Sequence, residues 1–484
     1  MSPTTLLAQT APAADFSNDT LGVMIGKAVA ILLFLLLSVL FALWFERRLI
    51  GRMQQRLGPN VRGPLGLAQS IPDALKLLLK EDITVKGADK FIYLLAPLIS
   101  VFSAFMVFAV IPFGPEARIP FTDIVTPLQL TDMPVAVLYF LGITALGVYG
   151  IVLGGWSSGS TYPLLGSVRS TAQVISYELS MSLALVSVLI VSGSMATSQI
   201  VAAQETTWWV FALLPAFVVY FISMVGEVNR LPFDLPEAEG ELVGGFQTEY
   251  SSMKFAWYYL AEYINMLNVS AIMVTVFFGG WRAPWPLSQI GDGMLNEGWW
   301  PVLWFLLKLW TSMFVFVWLR GTLLRFRYDQ FMRFGWKVLI PVALAWVVIV
   351  AVWQGLQQFT VIGTYDLRTW LFAGAGVLLA IALVLALLPE KGDKGEKPAL
   401  AEHSDAARRQ QVARTEGDQV EGEYFDAFAG GFPVPPMPGQ KLPPSPRKVK
   451  VTTPAGDSSD AAQRSTAGTD PDDEAPDTKE THDG

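Results

Sequence analysis

Long apolar runs broken by short polar stretches set the pattern of this chain. Nine of them have the ~20-residue length that crosses a ~30 Å hydrocarbon layer as a helix. They lie at 21–45, 91–112, 134–156, 171–192, 206–226, 255–279, 301–320, 337–356 and 368–388. Lipid offers no partner to backbone N–H and C=O groups, so such runs must close their own hydrogen bonds as helices. A different pattern marks residues 64–81. Leu67, Ile71, Leu75, Leu78 and Leu79 recur at helical spacing, with Gln69, Asp73, Lys76 and Lys80 between them. This segment is too polar to cross and is predicted to lie on the membrane surface. The expected fold is all-α: a polytopic transmembrane bundle of eight to nine spans with one cytoplasmic surface helix.

The same pattern divides the chain into three parts. Residues 1–20 are a small polar segment without the basic start, apolar core and cleavage site of a removable signal peptide. Residues 21–390 are the membrane domain. Residues 391–484 are rich in Pro, Asp, Glu, Ser and Gly, bury too little apolar surface to fold, and are predicted to be disordered.

Composition agrees. Hydrophobic residues make up 52% and charged residues 16%, against about a quarter charged in a soluble domain. Cysteine is absent, and the two histidines, His403 and His482, fall beyond the last apolar run. The chain is therefore expected to bind no metal, haem or iron–sulfur cluster. The net charge of −8 belongs to the tail: from Glu390 onward there are 19 acidic and 12 basic residues.

Basic residues in the loops set the orientation. Arg47, Arg48, Arg52, Arg56, Arg62, Lys76, Lys80, Lys86 and Lys90 occupy the first loop, and Arg169, Arg230, Lys254, Arg320, Arg325, Arg327, Arg333 and Lys337 fall on the same side. The other side has little more than Arg118 and Arg282, with Trp208, Trp209, Trp281, Trp285, Trp299 and Trp300 at its boundary. The N-terminus is expected outside a bacterial plasma membrane, and the basic loops and tail in the cytoplasm.

Two acids fall within spans: Glu178, near Gln173, Ser176 and Tyr177, and Glu262, among Tyr258, Tyr259, Tyr263 and Asn265. An ionised carboxylate in hydrocarbon is costly, so such acids point to function, with a static interhelical hydrogen bond as the alternative. Between spans five and six, Glu227, Asp234, Glu237, Glu239 and Glu241 lie within fifteen residues alongside one arginine, Arg230. Carboxylates this close titrate as a set. The interleaved Pro232, Phe233, Gly244, Gly245 and Phe246 argue for a packed, turned loop rather than a solvated one. After span seven, Arg320, Arg325, Phe326, Arg327 and Tyr328 alternate charge with aromatic rings, which suits anionic partners or stacking. Nucleic acid is not an expected partner of so short a loop against the lipid bilayer.

Four segments carry a family resemblance: Glu46–Arg48 followed by Arg56–Pro64, Ala172–Glu178, Glu227–Leu242 and Arg320–Gln330. In this order they resemble the H subunit family of bacterial NADH:quinone oxidoreductase, respiratory complex I, and the match runs from about Leu21 to Trp353. Leu57, Leu324 and Pro236 stand where family members often have Lys, Pro and Thr, and none of them removes a charged position assigned to the site. The resemblance implies a membrane subunit that holds the lower part of a quinone chamber. Its substrate would be ubiquinone or menaquinone. Its partners would be hydrophilic quinone-site and iron–sulfur subunits and adjacent small membrane subunits. Arg47 and Arg320 match positions at the chamber entrance. Arg56, Asp73, Glu227, Arg230, Glu237, Glu239 and Glu241 match its charged wall and floor, with Phe233 and Arg325 in the same segments. Glu178 and Glu262 match acids of a proton pathway. The expected function is to relay quinone reduction to proton translocation. The alternatives are a membrane subunit of a ferredoxin- or hydrogenase-linked complex and a stand-alone ion or proton transporter.

Overall fold

The computed structural model describes residues 14–119, 124–205, 207–234, 243–284, 287 and 294–358. Predicted span nine, the tail, and Glu237, Glu239 and Glu241 lie outside the described residues.

The first span is longer than its apolar run. Helix α1 covers Leu21–Met53, roughly 50 Å of helix against ~30 Å of hydrocarbon. Its buried stripe, Leu35, Ser38, Val39, Ala42 and Glu46, follows the three-to-four-residue period of one helix face. The chain then turns back on itself. Arg48 donates to the carbonyls of Pro59 and Leu65, and Trp44 to that of Leu65. Gly66 has a φ of +77°, and a Cβ there would lie 2.3 Å from the Pro59 carbonyl oxygen, so only glycine fits.

The surface segment is helical as predicted, but in two pieces: a 3₁₀ turn at Pro64–Gln69 and helix α2 at Ser70–Leu79. Ser70 ties its start to the Leu40 carbonyl of α1, and Ser252 ties its end to the Leu77 and Lys80 carbonyls. Its apolar residues Ile71, Leu75, Leu78 and Leu79 are exposed, as on a helix lying at a bilayer surface.

Helix α3, Lys90–Val107, is capped by Asp89, which accepts from the Phe91 and Ile92 N–H groups. A feature absent from the pattern follows: strands β1, Gly114–Arg118, and β2, Val125–Leu128, pair antiparallel with Ala117 opposite Thr126. This hairpin sits at the N-terminal end of α1, where Lys27 meets Asp19 at 2.6 Å and donates to Thr126 at 2.5 Å.

Helix α4, Ala136–Ser157, packs on α3 through small residues. A Cβ on Gly150 would meet the Ser100 hydroxyl at 2.0 Å, the close approach that glycine permits between membrane helices. Helix α5, Thr161–Ser192, starts ten residues before its predicted span, and Gly193 ends it in the left-handed region with φ +68°. Short helices α6, Thr197–Ala203, and α7, Trp209–Ala212, precede α8, Leu214–Glu227. With 14 residues, α8 reaches only ~21 Å. Pro215 at its first turn prevents a continuous helix through the predicted fifth span.

Helix α9, Ser252–Phe277, is the core of the bundle, buried on nearly all sides from Tyr263 to Phe277. It contacts α1, α2, α3, α6, α7, α8 and α10, Trp300–Thr322. Helix α11, Tyr328–Phe334, runs through a π-helical turn at Gly335–Leu339 into α12, Ile340–Gln358. Among the described residues, seven helical segments are long and apolar enough to cross a membrane, and the chain is a multi-pass membrane protein.

Candidate functional site

At the C-terminal end of α1 a chain of charges lies under the surface. Glu46, 5% exposed, stands on the buried stripe of its helix. Arg320, in the last turn of α10, forms an ion pair with Glu46 Oε1. Tyr263 of α9 donates its hydroxyl hydrogen to Glu46 Oε2 at 2.5 Å. Arg230, 7% exposed, brings Nη1 to 3.7 Å from Glu46 Oε1 and Nε to 2.8 Å from Glu262 Oε1. Its guanidinium lies 4.5 Å from the centre of the Tyr263 ring. The sequence Glu262–Arg230–Glu46–Arg320 thus alternates in sign and joins α9, the loop after α8, α1 and α10. Buried charges persist only when paired and hydrogen-bonded, and removing one partner costs about 3–5 kcal/mol. This network holds four groups whose charges are mutually dependent.

Local sequence explains why Arg230 can sit there. Helix α8 stops at Glu227, and Asn229 takes a φ of +55°, a conformation that asparagine tolerates better than most residues. The Phe233 N–H donates to the Arg230 carbonyl at 2.8 Å and closes the turn. Phe233 is buried, 4.5 Å from the ring centre of Phe331 and 5.9 Å from that of Tyr177. In its described residues the loop is packed, as Pro232, Phe233 and Phe246 predict.

Behind this network lies a cavity of about 70 Å³, lined by Glu227, Glu262, Asn229, Asn265, Asn268 and Ser100 among others. It has room for about two waters at ~30 Å³ each. The Oε2 of Glu227 is buried and has no hydrogen-bond partner among the described residues. Glu178, half-buried, lies on α5, the helix packed against α8 and its Glu227. The cavity therefore brings Glu227 and Glu262 to one space, with Glu178 beside it.

The other predicted residues lie nearer the surface. Arg47 pairs with Asp73 of α2, and Gln69 donates to the same carboxylate at 3.2 Å. Arg56 and Arg325 are exposed. Sequence reasoning missed Glu46 as a site residue. The signal was present: an acid four residues after Ala42 on the face of Leu35, Ser38 and Val39. Tyr263 and Asn268 were missed because nothing in sequence separates a tyrosine or asparagine facing a charge from one facing the core.

The comparisons with known proteins fit this arrangement. The family described as NADH dehydrogenase matches residues 26–351. A protein of Streptomyces avermitilis, named as the H subunit of NADH-quinone oxidoreductase, is 50% identical over 434 residues, covering 90% of this chain and 91% of its own. The chain belongs to the H subunit family of NADH-quinone oxidoreductase. As such it is a membrane component of complex I, part of an oxidoreductase, and assembles with other complex I subunits. The matched segment includes every charged residue of the buried network and both lining acids of the cavity.

Proposed function

We propose that this subunit forms the membrane-embedded floor of a quinone chamber and converts charge changes at the quinone into proton movement. The observation that carries this reading is the alternation Glu262–Arg230–Glu46–Arg320, buried at Arg230 and Glu46, which connects the surface-proximal end of α1 to the cavity between Glu227 and Glu262. Two-electron reduction of a quinone takes up two protons. The electrons arrive from an iron–sulfur centre in a hydrophilic neighbouring subunit. Arg230 and Arg320 are the donors and cations next to which negative charge is stabilised. When Glu46 or Glu262 gains a proton, Arg230 loses one of two opposing partners and its pull shifts to the other. Glu227, with a lone buried oxygen at the cavity, and Glu178 beside it receive that shift. Glu237, Glu239 and Glu241, which follow closely in sequence, belong to the same proton-relay set. Arg47, Asp73, Arg56 and Arg325 line its entrance and rim, and Phe233 braces its wall. The N-terminal end of α1 faces outside, and the end with Glu46 faces the cytoplasm.

The test is to replace Glu46, Glu178 or Glu227 with glutamine in the assembled complex. NADH oxidation by an artificial hydrophilic acceptor should be unchanged, while quinone reduction and its coupled proton movement fall. Normal quinone reduction and pumping in all three variants would overturn the reading.

A further inference from the structure

We propose that Gln173 is a positioning residue whose carboxamide fixes the loop that carries Arg230. The inference rests on the reading of Arg230 given above. Gln173 lies on α5 with 0% exposure. Its Nε2 donates to two backbone carbonyls, Gly226 and Phe233, each at 2.8 Å. Those carbonyls flank residues 227–232, so one side chain closes the loop from both ends. Both neighbours are acceptors, so only the NH₂ face of the amide can point at them, which fixes its orientation.

The first carbonyl belongs to the last turn of α8, where carbonyls lack regular intrahelical donors. Its other contacts with the loop are the N–H groups of Val228 and, at 3.3 Å, Asn229. The second follows the turn that holds the Arg230 carbonyl. Four residues along α5 from Gln173, Tyr177 supports the same loop. A Cβ on Gly226 would lie 2.8 Å from its ring, and its ring centre is 5.9 Å from that of Phe233. Helix α5 therefore grips the loop by a polar clamp and an aromatic wall. Arg230 must reach Glu46 on α1 and Glu262 on α9 at once, and a displaced loop cannot keep both contacts. Gln173 commits both its N–H groups to backbone and acts on the charges through the loop.

The experiment uses the intact complex in its membrane, with Gln173→Leu and Gln173→Asn made in wild-type and Arg230→Gln backgrounds. Leucine removes both bonds. Asparagine keeps the amide but is too short to reach both carbonyls. In the wild-type background Gln173→Leu should lower kcat for a short-chain quinone about tenfold, as expected for the loss of two buried hydrogen bonds. Gln173→Asn should give a smaller loss, and artificial-acceptor NADH oxidation should hold. In the Arg230→Gln background, with kcat taken per assembled complex, neither substitution should lower kcat by more than about twofold, because residues acting through one another are non-additive. Equal losses in both backgrounds would reduce Gln173 to a packing residue and overturn the proposal. So would a Gln173→Leu kcat within twofold of wild type. If the leucine variant fails to assemble, the asparagine variant decides by the same comparison. Full quinone reduction in Arg230→Gln alone would overturn the reading of Arg230, an outcome distinct from additivity with Arg230 shown to matter.

Discussion

Tyr263 and Glu46, 217 residues apart in the chain, share a hydrogen bond of 2.5 Å. The tyrosine hydroxyl is the one neutral donor, among the described residues, on a carboxylate otherwise faced by Arg320 and Arg230. Tyr263→Phe removes that donor and keeps the ring beneath Arg230. Bonds to charged groups contribute about 1.5–3 kcal/mol. We expect the complex to assemble, with quinone reduction lowered by about tenfold to a hundredfold and artificial-acceptor oxidation unchanged. Steady-state rates with the two acceptors, side by side, measure this.

Arg230→Met leaves Glu46 and Glu262 facing each other without the cation between them. The loss of one partner from a buried charge group costs about 3–5 kcal/mol, so the single variant should assemble poorly. Adding Glu262→Gln removes the stranded charge and should restore part of the assembled complex. The yield of intact complex on native gels reads the effect, and an unchanged yield after the second substitution would refute the pairing.

Lys308 tests whether every buried charge in this subunit serves the quinone. Its Nζ donates to the Phe278, Gly280 and Arg282 carbonyls at 2.6, 2.9 and 2.6 Å, and lies 4.3 Å from the Trp208 ring centre. It secures the chain leaving α9 at the opposite end from Glu46. Lys308→Met should lower the thermal midpoint of the complex by several degrees. In the complex that assembles, kcat for quinone should stay within about twofold of wild type.

Gly226→Ala places a Cβ 2.8 Å from the Tyr177 ring. That ring is stacked on Phe331 at 4.2 Å and donates its hydroxyl hydrogen to the Phe331 carbonyl, so it has little freedom to yield. Overpacking of this kind costs about 1–3 kcal/mol. Lower thermal stability together with reduced quinone turnover is expected, because the same ring supports the Arg230 loop. A thermal scan and a turnover assay on one preparation check both.

Much of this was legible in the sequence, for reasons that mark where it stopped. Hydrophobic runs are a one-dimensional signal, and α1, α3, α4, α5, α9, α10 and α12 follow them. The fifth span shortened to α8 because Pro215 breaks a run that hydropathy alone reads as continuous. The hairpin at Gly114–Leu128 escaped because its Gly, Pro and charged residues read as a loop and its strands are only four and five residues long. Charged loops were recognisable by density, and Arg230, Glu227 and Glu262 do fall at one place. Glu46 became their centre only in three dimensions, since its partners come from α9, α10 and the loop after α8. Lys308 was passed over because one lysine barely dents the hydropathy of α10, while its three acceptors lie in a connection that no periodicity describes.

Glu46 and Arg47 are neighbours on α1 and therefore point about 100° apart around its axis. Glu46 turns inward to Arg320, Arg230 and Tyr263, and Arg47 turns outward to Asp73 on the surface helix. One peptide unit therefore separates the contact with the surface helix from the most buried carboxylate of the network, and α1 is the single element common to both.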